Sequence, residues 1–516
     1  MSSRFPFLAQ PSQSYWLASC TVEEHAAPKD DLSADVCIVG GGIVGVLSAY
    51  LLARVGVQVV LLEADRLLRG ATGHTTAKLT SQHELIYART RNLLGPELAQ
   101  QYAHANQDAI AMAHRLIEEL GIQCDWSHQK AYVYCQQPGS VPKIEDEVLA
   151  ASGLGLPASL VDDIAVDVPI KAAVCFDGQA QFHPVKFLTA IAQQAQKHGA
   201  RLYEHCRVVE LEEGEDGYAL GIEGGVKVRA DRVVIASHYP FYNKAGLYVA
   251  RLKIERSYIV AVKAKEVYPG GMYINCEQPT RSLRAHRDGD GELILVGGES
   301  HRTGQSDDTE SCYAALRAFA DDLFTVQTSP FHWSTQDCVT LDGIPYVGRF
   351  TEDRPNLFVA TGFGKWGMSN GIAASALLRD LIVTGDSPYA PVYSPSRSTV
   401  LASAKSFAVD VANMAFHLVR GKLSPVPADA DVPNGEARVM ELSGQRMGVY
   451  RDDGGALHVV DTTCPHMGCA VNWNAAERSW DCPCHGSRFD VDGHVLEGPA
   501  VSNLNDGSEP GGGGTP

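Results

Sequence analysis

The sequence lacks an excess of positive charge, and it lacks a long apolar segment that is free of both glycine and charge. Lys and Arg number 43 against 61 Asp and Glu, which gives a formal net charge of -18. Nucleic acids and anionic membranes are therefore not expected as partners. The uncharged stretch 36–53 contains three adjacent glycines, and Lys405 and Asp410 interrupt a later helical segment. We therefore predict no membrane span.

The sequence also shows no secretion signal and few clustered cysteines. The first ten residues contain no basic segment followed by an apolar core, which predicts that no signal peptide is present. Nine of the thirteen cysteines are scattered, and four lie between Cys464 and Cys484. Scattered cysteines are typical of a reducing compartment, so we predict a cytoplasmic location. At 516 residues the chain is long enough for two or three domains.

The segment 35–63 predicts a dinucleotide-binding unit. A short β-branched strand precedes Gly40, Gly42 and Gly45, which form the pattern G-x-G-x-x-G; a helix follows, and a second apolar strand ends on Glu63. The three glycines permit, in order, the tight turn, the approach of a pyrophosphate and close packing of the helix on the sheet. The helix start attracts phosphates, and Glu63 is placed to accept hydrogen bonds from an adenosine ribose.

A second G-x-G-x-x-G begins at Gly362, after the apolar strand 357–361. The helix that follows leads into the Pro/Ser-rich segment 385–398 and not into a strand that ends on an acid. A second nucleotide site, such as one for NAD, is therefore not predicted. A glycine turn at a helix N-terminus still suits contact with an electron-rich group.

The rest of the chain predicts a mixed architecture. Long helices are expected over 98–120 and 184–198, and residues 250–300 alternate as in an antiparallel sheet. A helix and a linker are expected over 399–426. Short strands and turns follow, and the Gly/Pro-rich residues 506–516 are expected to be disordered.

The glycine unit, the late strand that ends at Gly362 and the antiparallel sheet between them together resemble the D-amino-acid-oxidase-like flavoproteins. That superfamily includes sarcosine and glycine oxidases and γ-glutamylputrescine oxidase. The resemblance implies an α/β (α+β) FAD-binding Rossmann-like domain over 15–398, with an antiparallel-sheet substrate domain inserted at about 85–185 and 240–340. FAD would lie extended, with its isoalloxazine ring over the antiparallel sheet.

The same resemblance implies which residues contact the cofactor. They lie on the glycine turn, on the loop after the second strand and near the second glycine motif: Gly40, Gly42, Ile43, Val44, Gly45, Glu63, Ala64, His74, Thr75, Thr76, Val208, Ala236, Gly362, Gly364 and Lys365. The helix after Gly364 would point its N-terminus at the flavin pyrimidine and stabilise the negative charge of the reduced flavin.

For three side chains the sequence allows two different roles each. His74 lies in a stretch similar to the Gly-Ser-Thr-x-His of dimethylglycine and sarcosine dehydrogenases, which implies a covalent bond to the flavin; the alternative is a histidine that packs in the phosphate loop. Lys365 is a candidate catalytic residue that would add positive charge near the flavin, or else a solvated lysine. Arg284, the other catalytic candidate, could bind a substrate carboxylate, or else be a surface charge.

The four clustered cysteines belong to a second motif. Cys464 and His466 form C-x-H, and fifteen residues later Cys482 and His485 form C-x-x-H. This pattern resembles the Rieske 2Fe–2S domain, a small all-β domain that would occupy 427–505. The resemblance implies that the two cysteines bind one iron and the two histidines the other.

Further residues extend the Rieske resemblance. Cys469 and Cys484 match the pair that forms a disulfide in cytochrome bc-type members, and Ser487 matches a residue that hydrogen-bonds a bridging sulfide. Phe489 stands where high-potential members carry tyrosine, which implies a lower reduction potential. A Cys2His2 zinc site is the alternative. It does not explain the second cysteine pair or the Gly-Pro turn at 498–499.

Together the two modules predict an FAD-dependent dehydrogenase that oxidises an amine or amino-acid substrate at a C–N bond. Electrons would pass through the 2Fe–2S cluster to an external acceptor protein or quinone, because a flavin stores two electrons whereas a cluster carries one. The alternatives are a flavin/iron–sulfur electron carrier or redox sensor and a flavin monooxygenase. No motif is recognisable for the mononuclear iron site of Rieske oxygenases.

Overall fold

The computed structural model describes residues 5–8, 10–242, 245–289, 291–397, 400–423, 426–427, 431–442 and 444–505, with backbone only for 400–407 and 421–423. The predicted disordered tail over 506–516 lies outside the described residues, as does part of the predicted linker. In this part of the chain, no helix combines the length and the apolarity that crossing a membrane requires.

Helices and strands are numbered along the chain. The helices are α1 (Tyr15–Ala18), α2 (Ile43–Ala53), α3 (Ile86–Leu94), α4 (Pro96–Leu120), α5 (Val141–Gly153), α6 (Pro184–Lys197), α7 (Glu310–Leu323), α8 (Gly367–Val383), α9 (Ala390–Tyr393) and α10 (Val400–Leu423). The long helices predicted from sequence agree with α4 and α6. The helix predicted from residue 399 to 420 is present as α10, and it continues into the predicted linker.

The strands before the C-terminal module belong to two large sheets. They are β1 (Leu32–Val39), β2 (Val59–Leu62), β3 (Lys78–Leu79), β4 (Ser127–Cys135), β5 (Ala158–Val161), β6 (Ala172–Gln181), β7 (Arg201–Tyr203), β8 (Val208–Gly214), β9 (Gly217–Ile222), β10 (Lys227–Ile235), β11 (Leu252–Ala264), β12 (Met272–Asn275), β13 (Arg281–Asp288), β14 (Gly291–Arg302), β15 (Val326–Thr340), β16 (Tyr346–Arg349) and β17 (Leu357–Thr361).

The first sheet has the order β16-β17-β10-β1-β2-β7, with β9 paired to β10 and β8 to β9. Its central strands β17, β10, β1, β2 and β7 are parallel, so their carboxyl ends meet at one edge. Helix α2 connects β1 to β2, and every one of its residues is buried. This burial explains the uncharged stretch 36–53: its apolar residues face protein on all sides of the helix.

The second sheet has nine strands in the order β15-β11-β14-β13-β12-β4-β6-β3, with β5 paired to β6. All of its pairs are antiparallel except β12 with β4. The alternation in the sequence over 250–300 corresponds to β11–β14. The two sheets match the predicted α/β and antiparallel-sheet fold class.

The C-terminal module contains only β-strands in its described residues. They are β18 (Ala437–Leu442), β19 (Gln445–Arg451), β20 (Leu457–Asp461), β21 (Asn472–Asn474), β22 (Ser479–Asp481), β23 (Arg488–Phe489) and β24 (Val495–Glu497), arranged as one three-stranded and one four-stranded antiparallel sheet. Trp480 is fully buried between them. A Cβ at Gly448 would lie 2.6 Å from its ring, so this core accepts only glycine there.

Candidate functional site

A cavity of about 340 Å³ lies where the two large sheets and the C-terminal module meet. Its wall comes from the carboxyl ends of β1 and β2, from β11, β14 and β15, from the turn before α8, and from residues 496–501 of the C-terminal module. Most of the predicted FAD contacts line it: Gly40, Gly42, Ile43, Val44, Glu63, Ala64, Thr75, Thr76, Val208, Ala236, Gly364 and Lys365. Gly45, His74, Gly362 and Arg284 lie behind this wall.

The glycine turn at one end of the cavity is sterically determined. Gly40 has φ +114°, and a Cβ there would lie 2.4 Å from the carbonyl oxygen of Ala236. A Cβ at Gly45 would lie 1.8 Å from the carbonyl oxygen of Gly40. Glu63 accepts a hydrogen bond from the Gly41 N–H at 2.6 Å. This is the close packing of turn, helix and acidic residue that a dinucleotide site requires.

Thr72 is a site residue that the sequence prediction missed. Its hydroxyl accepts a hydrogen bond from the Ile43 N–H at 3.0 Å, at the start of α2, and the side chain is buried. The small, polar character of the loop 69–78 indicated proximity to phosphates. It did not indicate which hydroxyl would reach the helix start, because that contact spans 29 residues.

His74 lies beside the cavity. Its Nδ1 is 3.0 Å from the carbonyl oxygen of Gly70, and the indole N–H of Trp333 donates to the carbonyl oxygen of His74 at 2.8 Å. Burial lowers the pKa of His74. These contacts are those of the packing alternative, and the covalent bond to the flavin stays a prediction.

Arg284 is neither in the cavity wall nor on the surface. Its side chain is completely buried, and its guanidinium donates to the carbonyl oxygens of Thr76 at 3.0 Å and Ala77 at 2.7 Å. Burial lowers the pKa of Arg284 to about 9. This geometry does not support a clamp on a substrate carboxylate. The guanidinium instead holds a loop in which Thr75 and Thr76 line the cavity.

Lys365 lies in the cavity wall, just before α8. Its ammonium group donates to the hydroxyl of Ser300 and lies 3.8 Å from a carboxylate oxygen of Glu255. Burial by itself would raise the pKa of Glu255, but Lys365 and Lys253 hold it below its ordinary value. The structure thus brings a fixed positive charge to the start of α8.

Two further ionisable side chains in the wall were not predicted. The carboxyl of Asp337 on β15 is buried and accepts a hydrogen bond from the Ser257 hydroxyl at 3.1 Å; burial raises its pKa to about 7. The ammonium of Lys78 donates to the carbonyl oxygen of Tyr273 at 3.0 Å, and burial lowers its pKa to about 7. In the sequence both look like ordinary polar positions of alternating strands.

The four predicted cluster ligands come together in the C-terminal module. The side chains of Cys464 and Cys482 interact, and this interaction lowers the pKa of the Cys464 thiol. The rings of His466 and His485 are 4.9 Å apart. Burial lowers the pKa of both histidines to about 4, so both imidazoles are neutral, as metal ligands must be.

The donor set fits a 2Fe–2S cluster. Both ring nitrogens of the buried His485 lack a hydrogen-bond partner among the described residues, which is costly unless they bind a metal. The predicted disulfide between Cys469 and Cys484 is present and joins the two ligand loops. Ser487 is hydrogen-bonded to the Cys464 sulfur.

The cluster loops face the cavity. The ring of Tyr239, which lines the cavity, lies edge-on to the His466 ring at a centroid distance of 6.5 Å. Gly486, next to His485, has φ +75°, and a Cβ there would lie 2.4 Å from Ile254 of β11. Gln336 of β15 donates to the carbonyl oxygen of Gly486 at 2.9 Å. The C-terminal module therefore closes one side of the cavity with its histidine end inward.

A buried ion-pair network holds the two modules together. Glu477 of the C-terminal module pairs with Arg256 of β11 and, at 3.0 Å, with Arg488; all three side chains are at least nine-tenths buried. Although burial favours the neutral acid, the two arginines hold the pKa of Glu477 well below its ordinary value. Arg256 also lies 3.7 Å from Glu497, and Arg488 pairs with Asp481 at 3.0 Å, so removing one member would weaken a larger buried network.

Comparison with known proteins divides the chain into the same two modules. A family model described as FAD dependent oxidoreductase (DAO) matches residues 35–381, and one described as Rieske [2Fe-2S] domain matches residues 422–506. The YhfW protein of Bacillus subtilis (strain 168), which carries the provisional name of a Rieske 2Fe-2S iron-sulfur protein, is 40% identical over 499 residues, or 96% of this chain and 98% of YhfW.

Solved structures show the same fold for the first module. Glycine oxidase from Geobacillus kaustophilus superposes with a TM-score of 0.60 at 22% identity, covering 71% of this chain and 99% of that chain. L-proline dehydrogenase from P. horikoshii gives a TM-score of 0.58 at 18% identity, covering 71% and 97%.

These matches confirm the predicted fold class and both cofactors. The Rieske match accounts for the paired cysteines and histidines that a zinc site would leave partly unexplained. The chain belongs to the DAO family of FAD dependent oxidoreductases and carries a Rieske 2Fe–2S domain at its carboxyl end.

Proposed function

We propose that the protein is an FAD-dependent dehydrogenase that oxidises a C–N bond of an amine or amino acid and delivers electrons through its Rieske cluster to an external acceptor protein or quinone. One observation carries this proposal: residues 496–501 of the Rieske domain form part of the cavity wall, and Tyr239 of that wall meets the cluster ligand His466. A cluster that only exchanged electrons with other proteins would have no reason to close the flavin cavity.

The residues of the chain have definable tasks in such a reaction. The cavity residues would hold FAD, which would supply hydride acceptance, and the paired cysteines and histidines would hold a cluster, which would supply one-electron transfer. Lys365 and the N-terminus of α8 supply positive potential where the flavin gains negative charge. Residues 496–501 exclude water from that end of the cavity. Gln336 and Arg256 hold the Rieske domain in place.

The substrate class is supported by relatives of the first module. Glycine oxidase, L-proline dehydrogenase, L-amino acid deaminase from Proteus vulgaris and iminodiacetate oxidase from Chelativorans all share its fold. We propose that the substrate meets the flavin on the nine-stranded sheet, built from the segments assigned by sequence to the substrate domain. The cytoplasm remains our proposed compartment, supported by nine cysteines in the described chain that belong neither to the disulfide nor to the cluster ligands Cys464 and Cys482.

Anaerobic mixing tests this proposal. The purified protein is mixed with glycine, L-proline, iminodiacetate, other amino acids and polyamines while the flavin absorbance is followed. We expect one of these compounds to bleach the flavin and then to produce the EPR signal of a reduced, mixed His/Cys-ligated 2Fe–2S cluster. A flavin that no amine bleaches would favour the carrier or sensor alternative. Bleaching without cluster reduction would refute the internal electron route.

A further inference from the structure

The cavity wall contains a carboxyl group that no ion pair neutralises in the described part of the chain. Asp337 is 6% exposed and lines the cavity. The Ser257 hydroxyl, at 3.1 Å, is its side-chain hydrogen-bond partner. The buried Asp342, a few residues later, is instead paired with Arg397 at 2.8 Å. A buried carboxyl without a cation is costly to ionise, so its place in the cavity wall calls for a functional reason.

A chain of hydrogen bonds runs from this carboxyl along the cavity wall. Ser257 donates to Asp337 and lies 3.1 Å from the hydroxyl of Ser300, which in turn accepts a hydrogen bond from Lys365. Lys365 is 3.8 Å from Glu255, and these two side chains are 27% and 17% exposed. Hydroxyl groups donate and accept at once, so Ser257 and Ser300 can relay a proton, whereas the Lys365 ammonium only donates.

The charged groups around Asp337 set its protonation. Lys365 faces it from the turn before α8, and Glu255 and Arg256 from β11; Glu497 of the Rieske domain lines the same cavity. Burial dominates and raises the pKa of Asp337 to about 7, although Lys365 and Ser257 oppose the rise. A group that ionises near neutral pH can both take a proton from a substrate and release it again.

The proposed reaction needs such a group. Oxidation of a primary ammonium substrate to the corresponding iminium ion removes one hydrogen from carbon and one from nitrogen, and so releases two electrons and two protons. The Rieske cluster gives the electrons a way out, but the protons must reach solvent separately. Amine oxidation also begins from the neutral amine, because the nitrogen lone pair is needed to form the carbon–nitrogen double bond.

We propose that Asp337 accepts the proton of the substrate ammonium group and that the hydroxyls of Ser257 and Ser300 relay it along the cavity wall towards solvent. The step breaks an N–H bond, forms an O–H bond on Asp337 and leaves the electron pair on nitrogen, so it requires no oxidant or reductant. This inference rests on the proposed function and adds to it that the substrate binds as a cation.

The test uses the full-length holoprotein and the amine that bleaches the wild-type flavin fastest. Anaerobic bleaching rates are measured from about pH 5 to 9. For wild type we expect the rate to rise with pH through about 7, as Asp337 becomes ionised. Asp337→Asn keeps the size and the contact to Ser257 but cannot accept the proton. It should lower the bleaching rate about 100-fold and remove the inflection.

Two further variants sharpen the test. Ser257→Ala removes a donor that stabilises the carboxylate, so the inflection should move to higher pH and proton release, followed with an indicator dye, should slow. Asp288→Asn changes an aspartate of the same sheet that lies outside the cavity wall and pairs with Lys263 at 2.7 Å; it should retain the wild-type inflection.

Each outcome decides the matter. An Asp337→Asn profile that superimposes on wild type overturns this inference and leaves the proposed function standing. A wild-type flavin that no amine bleaches overturns both. If Asp337→Asn does not retain flavin, Ser257→Ala decides: an inflection at the wild-type pH with unchanged proton release overturns the proposal.

Discussion

The two ends of the flavin cavity are built in different ways. The nucleotide end is made by a contiguous βαβ unit, in which Gly45 packs against Gly40 and Glu63 accepts a hydrogen bond from Gly41. The other end is made by β11, β15 and the Rieske domain, whose contacting residues are distant in sequence: Gln336 and Gly486 lie 150 positions apart, and Arg256 and Glu477 lie 221 apart. The comparison teaches that one cavity can contain a site encoded by a motif and a site assembled only by domain packing.

Among changes at the nucleotide end of the cavity, Gly45→Ala should have the largest effect on flavin binding. The added Cβ would lie 1.8 Å from the carbonyl oxygen of Gly40, so α2 must move away from the turn. We expect loss of bound flavin, measured by absorbance of the purified protein, while the Rieske EPR signal persists. The matched control is Gly153→Ala near the end of α5, where nothing lies within 4 Å of the new Cβ. Equal flavin content in both variants would contradict the prediction.

Among changes at the end of the cavity formed by the Rieske domain, Glu477→Gln should have the largest effect on stability. It leaves Arg256 with Glu497 alone, at 3.7 Å, while Arg488 keeps Asp481 and Glu497, so we expect a loss of about 3–4 kcal/mol of unfolding free energy. Urea denaturation followed by both flavin fluorescence and cluster absorbance measures this loss. Glu441→Gln, an exposed glutamate of the same domain, should change stability by less than about 0.5 kcal/mol.

The pH dependence of this network has a definite sign. The pKa of Glu477 is depressed in the folded protein, so its stabilising contribution is fully present above the ordinary glutamate value of about 4.3. The contribution decreases as the pH falls below that value towards the lower folded pKa. The difference in stability between wild type and Glu477→Gln should therefore shrink on acidification below about pH 4. A difference that stayed constant down to pH 3 or grew would argue against the ion pair.

Removing the disulfide is expected to have a smaller effect. Cys469 and Cys484 are 15 residues apart, and a loop of that length corresponds to about 3 kcal/mol of stabilisation. The double change to alanine should lower the thermal midpoint of cluster loss, monitored by absorbance, and leave flavin binding intact. Loss of flavin at the same temperature as in wild type, with earlier cluster loss, would show that the two ends unfold separately.

The smallest effect is expected from Thr72→Val at the nucleotide end. The change preserves shape but leaves the Ile43 N–H without its acceptor, which should cost about 1 kcal/mol and weaken flavin binding. Thr90→Val is the control, because the buried Thr90 hydroxyl has no hydrogen-bond partner among the described residues. Thermal unfolding and flavin retention in dilute solution measure both variants. If both variants lost the same stability and flavin affinity, the cause would be the replacement of a hydroxyl by a methyl group and not the loss of the hydrogen bond to Ile43.

The sequence by itself determined the features that arise from neighbouring residues. The helices around Tyr102 and Phe187 follow from apolar periodicity, the turn at Gly40 follows from conformations that side chains exclude, and the cluster ligands follow from fixed C-x-H and C-x-x-H spacings. In each case the residues that form the feature are neighbours in the sequence. The residue pattern alone therefore predicts their local geometry. Whether Phe489 lowers the cluster potential stays a prediction.

Only the tertiary structure decided which distant groups meet. Asp337 and Lys78 acquired shifted pKa values because folding removed water from them, and no local pattern records burial. For Arg284 the sequence left open a substrate contact or a surface position, and packing instead buries it against the backbone carbonyls of Thr76 and Ala77. The Rieske domain closes the cavity through contacts between β11 and residues near 477, and such contacts depend on how two completed domains fit together. That fit depends on the shapes and charges of the two folded domain surfaces. A local sequence pattern does not predict how such surfaces meet.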